Sequence, residues 1–447
     1  MITARSAATP ASGASPSVRL MTLDPGHFHA GLLQKTMYPQ IDPTVYVYAP
    51  DGEDVLEHLK RVSSYNHRAD KPTDWREVIY TGPDYFERML REKPGNVVVI
   101  SGNNLHKAEY IRKCIDAGLN VFGDKPLAIN PADFDQLKQA FAAAHARGVL
   151  LYDIMTERSE ITTILQREFS QMPEIFGKLE TGTAQSPAVI MESVHFYYKF
   201  VSGSVLKRPA WFFDVAQQGE GMVDVGTHLV DLVQWECFPD QVIDYTRDVK
   251  VLSARHWPTL LTAEEFNTVT GLSAFPDFLK SHVQDSILSD YANGEINYVV
   301  KGIHAQITEK WDYKAPEDSG DTHFSLLRGS KCSLVILQRA EQNYKPTLYL
   351  EPGNGTNRAA WAKALAAGLA SIQAKYPGVE LKELPSGSWQ VVIPAKYDVG
   401  HEAHFAQVTE RFLQYLTAGR LPDWEEPGML AKYYITTQAL ELARKSP

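Results

Sequence analysis

One segment of the chain presents an imidazole and a carboxylate together within an apolar stretch. The segment Gly219 to Leu232 begins with a glycine-rich turn and continues into apolar sequence that carries Asp224 and His228, four residues apart. On a helix this spacing places both side chains on one face. Such a pair in an apolar setting is suited to proton transfer. A helix-starting Asp beside a buried, hydrogen-bonded His would give the same pattern, so the motif alone leaves both interpretations open.

A lysine lies at the predicted end of a buried strand, in the segment Val121-Phe122-Gly123-Asp124-Lys125-Pro126. The residue before a proline has restricted backbone freedom, so Lys125 is well placed to aim its ammonium at a substrate hydroxyl. Open α/β sheets bind ligands at the carboxyl ends of their strands, and Asn103, Asn104 and His106 follow another predicted strand. A solvated surface lysine is the alternative.

The first predicted strand is followed by a loop that reads Asp24-Pro25-Gly26-His27-Phe28-His29. In a dinucleotide-binding fold this loop holds the pyrophosphate at a helix N-terminus, where free N–H groups favour an anion. Only Gly26 remains of the usual G-x-G-x-x-G, so we expect His27 or His29 to bind a phosphate or to cap the helix. The two histidines lack a third ligand in sequence, and the three cysteines show no metal spacing, so no metal is predicted.

An acidic residue follows the second predicted strand, Thr44–Tyr48. At this place a carboxylate binds the ribose hydroxyls and repels a 2′-phosphate, so Asp51 favours NAD over NADP. A turn-forming Asp-Gly pair would explain the same residue equally well.

Strands alternate with helices from Val18 to Tyr152, which predicts a parallel, Rossmann-type sheet covered by helices on both faces. Beyond Glu157, alternating polar and apolar runs predict an α+β domain with a large, mostly antiparallel sheet. We therefore expect a flexible leader over 1–17, a dinucleotide-binding domain over 18–152 and a substrate-binding domain over 153–447. The last domain carries an insertion near 354–397 and ends in two helices.

The composition argues against several partner classes. The 447 residues carry a net charge of −10, which disfavours nucleic acid and anionic membranes as partners. No apolar run is long enough to span a membrane, and the leader lacks the apolar core of a secretory signal. We expect a cytoplasmic protein, or a periplasmic one if a signal peptide has been removed.

The order of these segments resembles the Gfo/Idh/MocA oxidoreductases, the family of glucose–fructose oxidoreductase and inositol dehydrogenase. Asn103 to His106 is similar to its P-N-x-x-H turn, and Ala117 to Leu127 to its A-G-K-H-V-x-x-E-K-P-L segment. Gly221 to Leu232 is similar to its G-G-x-x-x-D-x-G-x-H-x-x-D-L helix. Two departures are the reduced glycine loop and Asp124, which stands where the family has glutamate.

The resemblance implies hydride transfer between NAD and a sugar, glycoside or cyclic polyol, by a protein we expect to be a homo-oligomer. It implies that His228 is the base, that Lys125 stabilises charge on the reacting oxygen, and that Asp224 orients His228 or grips a neighbouring hydroxyl. The predicted cofactor-binding residues are Asp24 to His29, Asp51, Asn103, Asn104, His106, Asp124 and Lys125. The predicted substrate-binding residues are Lys125, His195, Tyr197, Trp211, Asp224 and His228.

Two other functions remain open from the sequence. Some relatives hold NAD tightly and cleave glycosides by transient oxidation and elimination, and the long C-terminal part resembles a glycoside-acting branch. A non-catalytic, Rossmann-like binding subunit is the third hypothesis, although the intact set of Lys125, Asp224 and His228 argues against it. Lys199, Lys207 and Arg208 are predicted to be solvated.

Overall fold

The computed structural model describes residues 17–201, 204–317 and 319–445, so all but the last residue of the predicted leader lies outside the described residues. The N-terminal part is a six-stranded parallel sheet in the order β3-β2-β1-β4-β5-β6. Its strands are β1 (Leu20–Leu23), β2 (Thr44–Ala49), β3 (Arg76–Thr81), β4 (Val97–Ile100), β5 (Asn120–Asp124) and β6 (Leu151–Ile154). Its helices are α1 (His29–Leu32), α2 (Glu53–His67), α3 (Tyr85–Glu92), α4 (Lys107–Asp116) and α5 (Pro131–Arg147).

The central strands β1 and β4 and the edge strand β6 are buried at every position, as expected of a parallel sheet covered on both faces. The helix α5, which connects β5 to β6, begins and ends at residues that favour those positions. The Asn130 side chain caps α5, with Pro131 at its first turn, and Gly148 ends that helix in the left-handed region, with φ 66°. All strands run the same way, so their carboxyl ends meet at one edge.

The C-terminal part contains a ten-stranded, mostly antiparallel sheet, in which β13 and β7 form a parallel pair. The strands of this part are β7 (Val189–Tyr198), β8 (Phe200–Val201), β9 (Ser204–Val205), β10 (Val249–Thr262), β11 (Val283–Gln284), β12 (Ile287–Val300), β13 (Ile303–Lys314), β14 (Thr322–Arg328), β15 (Cys332–Gln338), β16 (Thr347–Pro352), β17 (Glu380–Glu383) and β18 (Trp389–Val392). The pair β8 and β9 forms a separate hairpin. The helices are α6 (Ile161–Ser170), α7 (Val225–Cys237), α8 (Tyr245–Asp248), α9 (Ala263–Thr270), α10 (Arg358–Lys375), α11 (His401–Ala418) and α12 (Glu425–Lys445).

The chain returns to the first sheet at its end. Phe405 and Phe412 of α11 belong to the same buried cluster as β1 and β4. The Phe412 ring stacks on Phe122 of β5, with 4.5 Å between ring centroids. The two halves are thereby joined beside the carboxyl ends of the parallel strands.

The predicted fold class is confirmed by the parallel first sheet and the mostly antiparallel second one. Two of the segments beyond Glu157 whose sequence predicts strands are Tyr298–Trp311 and Phe324–Gln338. In the structure each contains a turn between two strands. No helix in the described part of the chain is long and apolar enough to cross a membrane.

Candidate active site

A cavity of about 930 Å³ is lined by residues of both halves of the chain. The first half contributes the loop after β1, the end of β4 and the end of β5. The second half contributes the start of α7, strands β7 and β14, the segment around β18 and the start of α11. The volume is at the upper end of the range for small-molecule sites. Its lining includes His27, His29, Asn104, Asp124, Lys125, His195, Asp224 and His228.

Lys125 and Asp224 form an ion pair across the junction of the two halves. Lys125 directly follows β5, and Asp224 directly precedes α7. The Lys125 Nζ lies 2.5 Å from Asp224 Oδ1, and the two side chains are only 11% and 8% exposed. In so buried a position the pair fixes the ammonium at the cavity wall, because an unpaired charge there would be costly.

His228 lies in the first turn of α7 and also lines the cavity. Its Nδ1 atom is buried and makes no hydrogen bond to any residue that the structure describes. Burial, and then the nearby Lys125 ammonium, hold the pKa of His228 well below its ordinary value. The imidazole is therefore neutral at pH 7 and available to accept a proton.

The expected contact between Asp224 and His228 is corrected by the geometry. A 3-10 turn over Gly221–Val223 precedes α7, and Asp224 has φ −93° and ψ −86°, outside the helical region. The four-residue spacing therefore does not place the two side chains together on a helix. Asp224 binds Lys125 instead and positions that ammonium.

A second buried cluster surrounds Asp124. Its Oδ2 atom accepts hydrogen bonds from Ser101 Oγ at 2.8 Å and His29 Nδ1 at 2.9 Å, while His27 Nδ1 lies 3.3 Å away. Burial opposes ionisation of Asp124, but His29 and His27 hold the pKa of its carboxyl well below the usual range. The Asp124 Oδ1 atom is buried without a partner.

The same cluster supplies ligand atoms that a divalent metal accepts. The donor atoms of His27, His29 and Asp124 all lie within 4.8 Å of one another. Lys107, however, donates from its fully buried ammonium to the Asp124 carbonyl oxygen at 3.0 Å, which places a positive charge beside the group. A hydrogen bond to the carboxylate accounts for His29, and His27 lies at ion-pair distance from the same oxygen. The absence of a resident metal stays a prediction.

The loop after β1 packs too closely for side chains at its glycine. A Cβ at Gly26 would lie 2.8 Å from Asp54 Oδ2 and 3.1 Å from the Trp211 ring. Asp24 occupies the left-handed region, with φ 48°, and burial followed by Asp54 raises its pKa to about 6. Pro25 connects it to Gly26, while Phe28 and His29 line the cavity.

The polar turn after β4 divides between the cavity and its surroundings. Asn104 is buried at the cavity, donates to the Gln218 carbonyl at 2.8 Å and leaves its Oδ1 without a partner. Asn103 instead donates to Gln217 Oε1 at 2.7 Å. His106, which was predicted to bind the cofactor, does not line the cavity; its side chain is 58% exposed and its Nδ1 atom lies 3.8 Å from Glu109 Oε2. Asp51 is exposed beyond the end of β2.

His195 lies on the opposite half of the cavity lining, on β7. Its Nδ1 atom is 3.0 Å from Asp321 Oδ2, and its Nε2 atom is 2.8 Å from Ser193 Oγ. Lys199 also bonds Asp321. Sequence reasoning missed Asp321, which directly precedes β14, and Ser193, which lies inside β7. The two come close to His195 together only because β14 pairs with β7.

Two aromatic residues that were predicted to bind substrate make contacts outside the cavity. Tyr197 is fully buried and donates to Asp290 Oδ2 at 2.7 Å, so it has no face free for a sugar. Trp211 is 9% exposed and donates from Nε1 to Asp54 Oδ2 at 2.9 Å, against the loop after β1. Neither lines the cavity, because both rings fill an aromatic cluster below β7 and β13.

Two family descriptions match the chain. Residues 165–444 match the family described as "Putative oxidoreductase C terminal domain". Residues 49–152 match "Oxidoreductase family, NAD-binding Rossmann fold". This second match begins after the loop that carries the reduced glycine pattern. No curated protein sequence matches the chain.

Solved structures share the fold over nearly the whole chain. A crystal structure described as a "putative oxidoreductase" from Parabacteroides merdae is 55% identical, covers 96% of this chain and 98% of its own, and has a TM-score of 0.95. GenD2 from gentamicin A biosynthesis, in complex with NAD, is 15% identical, with 98% of each chain covered and a TM-score of 0.58. KijD10, a 3-ketoreductase from Actinomadura kijaniata in complex with NADP and TDP-benzene, is 13% identical, with 95% and 97% covered and a TM-score of 0.56. At this identity the last two show a common fold alone.

Proposed function

The chain belongs to the Gfo/Idh/MocA family of NAD(P)-binding oxidoreductases, and we propose that it transfers a hydride between a nicotinamide cofactor and a secondary hydroxyl or ketone carbon of a sugar, glycoside or cyclic polyol. The observation that carries this proposal is the neutral His228 beside the buried Lys125–Asp224 pair, at the cavity where both halves meet. A base and a fixed cation at one cavity wall are what the oxidation of a hydroxyl requires.

The three side chains divide the proton and charge work. The neutral His228 imidazole takes the proton of the substrate hydroxyl as its carbon is oxidised, and returns it in the reverse direction. The Lys125 ammonium donates a hydrogen bond to the same oxygen and stabilises the negative charge that develops there. Asp224 positions that ammonium, so its role is to orient Lys125 and not to transfer the proton.

The residues at the ends of β1, β4 and β5 fit a nicotinamide dinucleotide. Asn104 and Asp124 each present a buried oxygen atom that lacks a partner, as expected where a polar ligand completes the hydrogen bonding. Those two residues and the loop from Gly26 to His29 would hold the cofactor, with Asp24, Pro25 and Phe28 shaping that loop. The cofactor accepts or supplies the hydride, and the protein provides orientation and proton handling.

We expect hydride transfer on at least one member of a panel of glycosides, free sugars and cyclic polyols. The measurement is nicotinamide absorbance, after mass spectrometry of the cofactor that denatured protein releases. The variant His67→Asn changes an exposed histidine at the end of α2 and should keep full activity. It is the matched control for replacing His228 with asparagine. A panel that shows no nicotinamide redox change, with protein that binds neither NAD nor NADP, would contradict the proposal.

We also expect NAD to be preferred over NADP by about tenfold in kcat/KM, the size of one like-charge contact near a protein surface. Asp51 follows β2, Glu53 and Asp54 begin α2, and residues 49–54 contain no arginine that would bind a 2′-phosphate. Asp51→Ala should narrow the preference, whereas Asp70→Ala, which removes an exposed charge elsewhere, should not. Tighter binding of NADP than of NAD by the unchanged protein would defeat this prediction.

A second candidate function is net glycoside hydrolysis. A retained cofactor would oxidise a sugar hydroxyl to a ketone, the aglycone would be eliminated, water would add to the resulting double bond, and the reduced cofactor would return the hydride to the ketone. Its support is a further imidazole at the cavity, His195, which lies across the lining from His27 and His29, is held by Asp321 and Ser193, and could serve the elimination step. In the same panel, aglycone release without any net change in nicotinamide absorbance would favour this function. Accumulation of reduced cofactor in proportion to substrate would favour the simple dehydrogenase.

A further inference from the structure

The cavity lining contains a buried arginine that has no acidic partner among the residues that the structure describes. Arg208 is 8% exposed, and no carboxylate in residues 17–201, 204–317 or 319–445 lies within ion-pair distance of its guanidinium. It donates from Nε to the Tyr197 carbonyl at 3.3 Å and from Nη2 to the Phe196 carbonyl at 3.4 Å. These two bonds are long, and most of its five N–H groups have no acceptor in the described part of the chain. The prediction that Arg208 is solvated is therefore wrong.

The neighbouring carboxylates already serve other groups. Asp224 pairs with Lys125, Asp321 with Lys199 and His195, and Asp290 accepts from Tyr197. Burial lowers the pKa of Arg208 to about 10, although Tyr197 and these three carboxylates all act in the opposite direction. The guanidinium remains charged at pH 7, so a buried positive charge faces the cavity, and each of the three described carboxylates near it already has another partner.

Two aromatic rings hold the guanidinium in place. Its Cζ atom lies 4.6 Å from the centroid of the Phe212 ring and 5.1 Å from that of Trp311. Stacking on aromatic faces stabilises a cation and fixes the plane of the guanidinium fork, but it does not supply acceptors for its hydrogen bonds. The fork is thus pre-oriented at the cavity, and its in-plane donors are available to a ligand.

We propose that Arg208 binds a carboxylate of the substrate, so that the preferred substrate is an acidic sugar, a uronic acid or a glycoside that carries a carboxylate. This inference rests on the proposed function for the identity of the sugar, but the anion site stands on Arg208 alone. A planar carboxylate matches the guanidinium fork in a bidentate manner. A phosphate dianion fits less well, because Asp224 and Asp321 lie close enough to Arg208 to influence its pKa and would repel the second charge.

The test compares a methyl hexoside with the methyl uronide that differs only in a carboxylate at the terminal carbon. Binding is measured by calorimetry on the NAD-loaded protein, and turnover by nicotinamide absorbance. We expect the unchanged protein to prefer the uronide by at least about tenfold, the size of one charge-assisted hydrogen bond. Arg208→Gln should reduce that preference by about tenfold to a hundredfold, and Arg208→Lys should reduce it less. The control Lys207→Gln should leave it unchanged, because Lys207 is exposed and bonds the Thr268 carbonyl.

The possible outcomes distinguish failure of the anion site from failure of the proposed function. Uronide binding that depends on Arg208, without hydride transfer, would support the anion site and contradict the proposed function. Hydride transfer on both glycosides with no preference, or with equal losses for both in Arg208→Gln, would overturn the anion site and leave the function standing. Stronger binding of a hexose phosphate than of the uronide would also overturn the carboxylate assignment. Thermal unfolding of each variant, together with Arg208→Lys, which keeps the charge, separates a lost site from a lost fold.

Discussion

Replacing Lys125 with methionine, or His228 with asparagine, is expected to lower turnover by about a hundredfold or more while NAD still binds. The first variant removes the cation that stabilises negative charge on the reacting oxygen. The second removes the base, which burial and the Lys125 ammonium keep neutral at pH 7. The measurement is kcat on the best substrate of the panel, with NAD binding followed in parallel by calorimetry.

Controls separate chemistry from folding. Lys125→Met alone leaves the Asp224 carboxylate, which is 8% exposed, without its partner, so some thermal stability should be lost. The double variant Lys125→Met/Asp224→Asn should regain that stability but not the turnover. Lys138→Met, at an exposed lysine of α5, should change neither. Near-native turnover in either single variant with normal folding would refute the assigned roles.

The sequence predicted which segments meet at the site better than which atoms pair there. Lys125 and Asp224 are 99 residues apart, yet both could be placed at the site, since one ends a buried strand and the other begins a helix. The predicted contact of Asp224 with His228 was wrong, because a four-residue spacing brings side chains together only when both residues are helical. Here α7 begins at Val225, one residue too late.

The burial of a side chain by strands that are distant in sequence could not be predicted from the local sequence pattern. Arg208 stands in a Lys-Arg-Pro string, which is typical of a solvated turn. It becomes buried because Trp311, on β13, packs over it, and no nearby residue signals that contact. The prediction that Tyr197 binds substrate is wrong for the converse reason. Tyr197 lies on β7, a strand that contributes to the cavity lining, but its side chain points into the aromatic cluster beneath that strand.

The end of the Gly221–Leu232 motif has a structural role that the reacting residues do not share. Asp231, three residues after His228, accepts from Arg158 Nε and Nη2 at 2.6 Å each. Lys432 of α12 lies 2.8 Å from Asp231 and 2.7 Å from Asp153 of β6. These charges are at most 4% exposed and tie the helix of His228 to the parallel sheet.

Arg158→Met is accordingly expected to lower the free energy of unfolding by about 3–5 kcal/mol, the cost of breaking a buried pair from one side. Arg158 bonds Asp231 and also lies 2.9 Å from Glu425 Oε2, so its removal leaves three buried carboxylates with Lys432 as their counterion in this cluster. The measurement is the midpoint of urea unfolding at pH 7. The half-exposed pair Arg112–Asp116 offers the control Arg112→Met, which should cost less than about 1 kcal/mol.

The pH dependence of that loss distinguishes charge from packing. In the unchanged protein, burial would raise the pKa of Asp231, but Arg158 and Lys432 lower it. Without Arg158, burial dominates and the carboxylates of the cluster should have raised pKa values. A raised folded-state pKa gives stability that is present at low pH and lost as pH rises through that value, so the variant should recover relative to the unchanged protein between pH 7 and pH 5. A deficit that is the same at both pH values would mean that Arg158 acts through packing, and the charge argument would fail.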